Sequence, residues 1–502
     1  MKIFPVAQVS SIDQYTIQNE PIASIDLMER AASAFYRRFT ALYPHGDVSV
    51  LAGPGNNGGD ALAVARMLLQ DGRDVEVFML TSEDKLSQDA QLNYQRLQRI
   101  KKCTVTLQSE EQLTAIGTEN TIIDGLFGSG LNRPLEGLAQ KLVAYINNTN
   151  VQVVSIDIPS GLFGEDNAGN DPEAIIMADY TISFQFPKLA FLLAENEAFV
   201  GEWVVEEIGL HPQIIKETSS DYCYSDRQLI RQLLKQPGRF SHKGDMGHAL
   251  LLAGSYGKMG AAVLASKACL KAGVGLLTTH VPRLGYGIIQ TAVPEAMASI
   301  DRSDILLSEF PDINGFDAVG VGPGIGTKPN TITAMRELLQ ALNGKPIVMD
   351  ADALNILSQD ESMWELMPDN AIITPHPGEF DRLAGPSYSA FERLQKAQQF
   401  AIDMQVVIVL KGAFTAVINV DGHCYFNSSG NYGMATAGSG DALTGILLAL
   451  LAQGYSVLEA ARLGVYLHGL AADLLLQQMA EEAIVASDII SKIGAAFQSL
   501  RR

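Results

Sequence analysis

Between Asn431 and Gly445 the chain reads NYGMATAGSGDALTG. Gly430, Gly433, Gly438 and Gly440 sit among small side chains, ahead of one carboxylate, Asp441, and the apolar run GILLALLAQG. Glycine permits tight turns and close approach of backbone to a ligand. A helix starting near Ser439 to Asp441 aims free N–H groups at an anion. A carboxylate repels phosphate, so Asp441 has two readings. It is either the N-cap of a buried helix, or a base that takes a proton from a hydroxyl beside a transferring phosphoryl group.

A second set of residues lies in the first half. The strand candidate DVSVL runs into AGPGNNGGDALAVARMLLQDG, which holds Asn56, Asn57, Gly58, Gly59 and Asp60. This is strand, glycine-rich turn and helix, the front of a Rossmann-like unit, without the GxGxxG dinucleotide spacing. TIIDGLFGSGLNRPLEG then places Asp124 after a strand and before the loop Gly128, Ser129, Gly130, Leu131, Asn132, Arg133, Pro134. VQVVSIDIPSGL places Asp157 and Ser160 after the next strand. Ligands bind at the carboxyl ends of strands in an open sheet. Successive strands thus bring Asn57, Asp124, and Asp157 with Ser160 to one rim. Taken singly, Asp124 reads equally as a loop cap, and Lys188 as a surface lysine.

The second half repeats the pattern. Gly254 and Ser255 follow the strand HALLLAG, and Ala262 lies at the start of a helix. FDAVGVGPGIG places Gly322, Gly324 and Gly326 after another strand. PIVMDADALNIL ends a strand at Asp350 and Asp352, which read either as turn caps or as magnesium contacts. His376 stands between two prolines in ITPHPGEF, with no Cys or His partners at zinc spacing. Lys411 ends a strand and leads into Gly412, Ala413, Phe414 and Thr415; a lysine there suits phosphate as a compact charge. His468 reads as a packing or capping residue.

The elements that position these residues alternate strand and helix, which predicts α/β architecture with parallel, buried strands. At 502 residues the chain exceeds one ordinary core. Its 47% hydrophobic and 18% charged composition is that of a folded chain. The polar segment KETSSD, Lys216 to Asp221, reads as a linker, giving expected domains at 1–215 and 222–502. Helical spacing of Leu27, Met28, Ala31, Ala32, Phe35 and Phe39 marks a packing helix. The formal charge of −20 disfavours nucleic acid and acidic membranes as partners. Phosphate is still admissible, because local N–H groups can hold it in a negative protein. Four scattered cysteines form no disulfide framework. No signal-peptide core and no apolar run of membrane-spanning length are present, so a cytoplasmic, reducing setting is expected.

The closing glycine motif resembles the ribokinase-like superfamily. HKGDMGHALLLAGS, VGPGIG, MDADALNIL, ITPHPGEF, VLKG and GNYGMATAGSGDALTG, in that order, resemble the NAD(P)H-hydrate dehydratase domain. The first part resembles the NAD(P)H-hydrate epimerase domain, with Ala61 standing where that motif commonly has glycine. The resemblance implies a Rossmann-like three-layer domain fused to a ribokinase-like one. It implies a potassium ion held by Asn57, Asp124 and Ser160, with Asp124 as acid/base in epimerisation. The hydrated nucleotide would contact Asn56 to Asp60, Gly128 to Pro134 and Asp157. In the dehydratase it would meet Ala262, Gly324, His376 and Asp441, with Asp441 as base. The nucleotide phosphates would lie against Lys411 to Thr415 and Gly438, Ser439 and Gly440. The implied substrates are hydrated NADH and NADPH, with ADP as phosphate donor and magnesium assisting, and self-association is expected. A ribokinase-like kinase of a small alcohol is the alternative. A non-catalytic nucleotide sensor is opposed by the acids beside both sets of glycine loops.

Overall fold

The computed structural model describes residues 1–502. Two compact units emerge: Lys2–Ser220, and Asp221–Arg502 together with Met1.

The first unit carries helices α1 (Val6–Asn19), α2 (Ser24–Leu42) and α3 (Asn56–Gln70). Its strands are β1 (Val48–Ala52), β2 (Val75–Met79), β3 (Thr104–Thr106), β4 (Thr121–Gly125), β5 (Val153–Ile156), β6 (Tyr180–Phe184) and β7 (Glu202–Glu206). They form a seven-stranded sheet in the order β3-β2-β1-β4-β5-β6-β7, and every pairing is parallel. Alternate residues of β1 join different cores. Val48, Val50 and Ala52 pack with Phe35 and Phe39 of α2, whereas Leu51 packs with Leu142 and Ile146. Both faces of the sheet are therefore covered, which gives three layers and explains why β1 is apolar without alternation. The strand order reverses between β1 and β4, and the crevice at that switch point is where open α/β sheets bind ligands.

The stretch expected as a linker is tied down. Lys216 and Glu217 belong to a short helix, Pro212–Glu217. Lys2 Nζ donates to the carbonyls of Ile215, Lys216 and Thr218 at 3.1, 2.9 and 2.6 Å. Polar composition signalled exposure, and the backbone there is held by one distant lysine.

The second unit contains β8 (Tyr222–Ser225), β9 (His248–Leu252), β10 (Leu276–Val281), β11 (Met297–Ile300), β12 (Ala318–Val321), β13 (Ile347–Met349), β14 (Ala371–Ile373), β15 (Val407–Leu410), β16 (Ala416–Ile418) and β17 (Cys424–Asn427). Within this unit the strand order is β8-β17-β16-β15-β14-β13-β12-β9-β10-β11. The run from β11 through β15 is parallel, and β15, β16 and β17 pair antiparallel. Here the switch point lies between β9 and β12. Its helices include α4 (Met259–Lys271), α5 (Pro377–Ala384), α6 (Ser439–Ala452) and α7 (Val457–Asp473). No helix of the chain is long and apolar enough to cross a membrane.

Helix α6 is apolar around its whole circumference, and every residue from Ala442 to Ala452 is buried. Such a helix must be covered on all sides. Gly445 allows the closest of these contacts. A Cβ on it would lie 2.1 Å from the Ala265 carbonyl oxygen of α4. Gly445→Ala must therefore push α6 from α4, and overpacking of this kind destabilises by about 1–3 kcal/mol. Urea unfolding read from Trp364 in a Trp203→Phe background reports on this unit. An unchanged midpoint for Gly445→Ala would sink this account of the contact.

Candidate active sites

The first site lies at the β1/β4 switch point. Asp124 sits near the end of β4 and is wholly buried. Its Oδ1 accepts from the Leu126 N–H at 3.2 Å and the Ser160 hydroxyl at 2.5 Å. Its Oδ2 accepts from the Ser155 hydroxyl and the Ser160 N–H, both at 2.8 Å. Burial raises its pKa, and the hydrogen bonds from Ser160, Ser155 and Leu126 oppose that rise. The Ser160 hydroxyl also reaches the Phe127 carbonyl at 3.2 Å. Having one proton, it serves one acceptor at a time, so turning to Phe127 frees a lone pair on Asp124.

Asn57 is buried in the first turn of α3. A Cβ on Gly128 would lie 3.3 Å from the Asn57 Cβ, so the second glycine loop abuts this side chain. The Asn57 Nδ2 is buried without a hydrogen-bond partner. Rotating the amide exchanges that orphaned donor for a carbonyl oxygen. Asn57, Asp124, Ser160 and the Phe127 carbonyl then form a set of hard oxygen donors, which fits an alkali cation. Ala61 is buried, with a Cβ on residue 125 falling 2.5 Å from its own, so its methyl is housed because residue 125 is glycine.

The remaining predicted residues line the same unit. Asn56 accepts from the Ser87 hydroxyl at 2.9 Å. Gly58 and Gly59 are buried in α3, and Gly128 to Pro134 form a partly exposed loop with a turn from Leu131 N–H to Gly128 O. Asp157 adopts φ +64°, a conformation costly for a residue with a Cβ and typical of functional sites. Its carboxylate accepts from Lys188 Nζ at 2.6 Å and from Phe184 N–H at 3.0 Å. Lys188 is 2% exposed, so the surface reading of this lysine is corrected: it is a buried partner of Asp157.

Sequence reasoning missed Asp13. It lies on α1, and its carboxyl is raised to about 6 by burial, then by Asp157. Asp60 is pushed well above the ordinary carboxylate range by burial, then by Asp157, Asp13 and Asp89. Its Oδ1 is buried without a partner. An isolated aspartate on a helix carries no pattern, so only tertiary placement reveals this group.

The second site gathers at the carboxyl ends of β12 to β15. Lys411 Nζ lies 2.9 Å from Asp350 Oδ1 and 3.7 Å from Glu379 Oε2. Burial works to lower the Lys411 pKa, but Asp350 and Glu379 outweigh it and raise it. Thr444 of α6 donates to Asp350 Oδ2 at 2.8 Å. A Cβ on Gly440 would lie 3.6 Å from both Asp350 Oδ2 and Lys411 Nζ, which places the first turn of α6 against this pair. Gly438, at φ +86°, provides the left-handed turn into the helix. The ladder of α6 begins with Ala442 N–H to Gly438 O, so the Gly440 and Asp441 amides face outward for an anion. Asp441 is raised from 3.8 to about 6 by burial, then by Asp350, with Lys411 opposing. Asp352 adds to the rise and is itself held by the Gly326 N–H at 2.8 Å and Lys258 Nζ at 3.1 Å.

Two predicted contacts also have partners within the fold. The Ala262 methyl is buried, 3.1 Å from where a Cβ on Gly254 would stand, so it supports that loop by packing. His376 caps α5: its Nδ1 accepts from the Gly378 and Glu379 N–H groups at 3.1 and 3.3 Å, and its Nε2 lies 3.5 Å from Glu379 Oε1. Ser255 donates to the Gly324 carbonyl at 2.6 Å, which joins the loops after β9 and β12 across the switch point. Gly412 and Ala413 are exposed, and Thr415 closes that turn by donating to Gly412 O at 3.0 Å.

Residues 24–190 match the family model described as YjeF-related protein N-terminus, and residues 249–494 match that described as NAD(P)H-hydrate dehydratase. A bifunctional NAD(P)H-hydrate repair enzyme of Moorella thermoacetica is 34% identical, across 100% of this chain and 97% of the relative. The chain belongs to the bifunctional NAD(P)H-hydrate repair enzyme family. Its member from Thermofilum pendens is 33% identical, across 100% of this chain and 97% of the relative. The crystal structure of a ribokinase-like superfamily protein from Enterococcus faecalis is 25% identical, with a TM-score of 0.52, covering 57% of this chain and 99% of that one. Membership thus agrees with the Rossmann-like and ribokinase-like architectures of the two units.

In this repair-enzyme family member, the Asp441 site makes its own pH prediction. A carboxyl raised to about 6 in the fold contributes stability that is fully present below its unfolded pKa. That stability is lost as pH rises through the folded value. Asp441→Asn should therefore stabilise the second unit by roughly 1–2 kcal/mol near pH 8, with the gain vanishing below about pH 4. Unfolding curves at the two pH values check this; equal stabilities near pH 8 overturn it.

Proposed function

We propose that the chain repairs hydrated NADH and NADPH, with residues 1–215 interconverting the R and S hydrates. Residues 222–502 dehydrate the S form, coupled to cleavage of ADP into AMP and phosphate. The observation carrying this reading is a base raised into the working range, Asp441, inside an anion-binding helix start beside Lys411.

In the hydrate a hydroxyl stands on a ring carbon next to nitrogen. Hydroxide leaves with the C–O electron pair, nitrogen forms an iminium, and return of water to either face exchanges R and S. The proton must be delivered and recovered, and Asp124 does this when Ser160 turns to Phe127. A potassium ion among Asn57, Asp124 and Ser160 would supply fixed positive charge. The Lys188–Asp157 pair and Asp60, whose carboxyl burial pushes well above the ordinary range, line the same rim.

For dehydration, Asp441 takes the hydroxyl proton while the oxygen attacks the terminal phosphorus of ADP, and AMP leaves. The Gly440 and Asp441 amides and Lys411 stabilise the transferring charge. Phosphate then leaves with the C–O electrons, and loss of the neighbouring ring proton restores the double bond. Phosphate leaves far better than hydroxide, which is why the reaction consumes a phosphoanhydride. Magnesium would neutralise charge on the transferring phosphates, with Asp350 and Asp352 the carboxylates that would hold it.

Purified R and S hydrates with ADP or ATP, followed by reduced-nucleotide absorbance and phosphate release, test the reading. R–S exchange should proceed without nucleotide, and reduced NAD(P)H should form only with it. Asp441→Asn should lower dehydration by about 10²–10⁴ and leave exchange intact. A stable phosphorylated alcohol as product would instead establish the kinase alternative. Asp124→Asn should bring exchange down to the spontaneous rate. Replacing potassium by sodium should slow exchange and spare dehydration; no difference between the salts removes the potassium assignment.

A further inference from the structure

Ser439 stands at the mouth of the anion-binding turn, yet it is turned away from it. It is 8% exposed. Its N–H donates backward to the Thr436 carbonyl at 3.3 Å, and its hydroxyl lies 3.3 Å from Nε2 of His468. His468 belongs to α7 and is itself buried, 5% exposed. Both polar groups of Ser439 are thus engaged behind the site. The next two amides, of Gly440 and Asp441, are the ones left facing an anion.

The Ser439 hydroxyl therefore ties the first turn of α6 to α7 through the buried ring of His468, and the two residues that follow it inherit that placement. We propose that His468 is a positioning residue for phosphoryl transfer, acting through Ser439. By holding the Ser439 hydroxyl, it fixes the first turn of α6 and keeps the Gly440 and Asp441 amides free and aimed. This role rests on the dehydratase reading above.

Burial, and then the charge of Lys411, lower the His468 pKa to about 4, so the ring is neutral in the working range. A neutral ring can share one hydrogen bond with the Ser439 hydroxyl in either direction. It also adds no positive charge behind the base. His468 touches neither Asp441 nor Lys411 through any hydrogen bond, which separates its role from theirs. Gly438 completes the arrangement. A Cβ there would strike Leu264 Cδ1 at 2.4 Å, so only glycine lets the chain turn into α6 against Leu264 just ahead of Ser439.

The test is a double-mutant cycle in the full chain with S hydrate and ADP. Ser439→Ala removes the hydroxyl and leaves the packing, and should lower kcat about tenfold, the rate equivalent of one ordinary hydrogen bond. KM for both substrates should stay within about twofold. His468→Leu should lower kcat similarly, and His468→Gln, which can reach the hydroxyl, should recover most of it. In the Ser439→Ala background, His468→Leu should cause no further loss, because both act through one contact. Additive losses overturn the role, as does an unchanged kcat in Ser439→Ala, or a Gln variant no better than Leu. Additivity in a wild type that does form NAD(P)H removes this role alone. A wild type that forms none removes the functional reading and this role with it.

Discussion

The contact between Lys411 and Asp350 organises the second unit. It ties the end of β15 to the end of β13 at 2.9 Å, and Asp350 is almost wholly buried. Such a pair is stable only when the remaining lone pairs are satisfied. Thr444 supplies that bond from α6, so the helix register is set by a buried carboxylate as well as by apolar packing. Gly440 must then lie over the pair, and Asp441 follows one residue later. Asp441 stands where it does because the charges beneath it cannot be left unpaired. The same charges set its proton affinity: Asp350 raises it and Lys411 lowers it.

The two units solve one problem with different chemistry. Both place their reactive groups at the carboxyl ends of parallel strands, at a switch in strand order. In the first, a wholly buried carboxylate is wrapped by two serine hydroxyls and two backbone amides, and the rim holds oxygen donors. That suits a fixed cation and a proton that moves without a phosphate donor. In the second, the rim is a helix start, a lysine and a carboxyl of raised pKa. That suits an anion. Helix α6 reaches its position only because Gly445 lets two helices touch at backbone distance.

Much of both sites was legible from residue order. Asn57, Asp124, Asp157 and Ser160 could be placed on one rim because strand and loop alternate so regularly. Asp441 could be read as either a cap or a base; the cap of α6 is Gly438, with no side-chain cap bond, and Asp441 lies in the first turn with its carboxyl raised by burial. Other features were invisible. Lys188 looked exposed by residue type but is paired inside the fold. Asp13 lies on a helix whose spacing speaks only of packing, more than a hundred residues from the Asp157 whose charge it feels. Ser439 was legible as a phosphate contact, but not its bonds to Thr436 and His468.

The amino-acid sequence by itself determined the fold class, the presence of two catalytic-type glycine frameworks and the family. These rest on local signals: hydrophobic runs of strand length, glycines where backbone must approach, and acids directly after strands. Tertiary structure alone decided protonation and orientation. A carboxyl's pKa depends on burial and on charges brought near from distant strands, as Asp350 and Lys411 are brought to Asp441. A hydroxyl's direction depends on which acceptor the fold places beside it, as it places His468 beside Ser439. Neither quantity is a property of a residue or of its neighbours in the chain; both arise from the field and the contacts that the packed elements create.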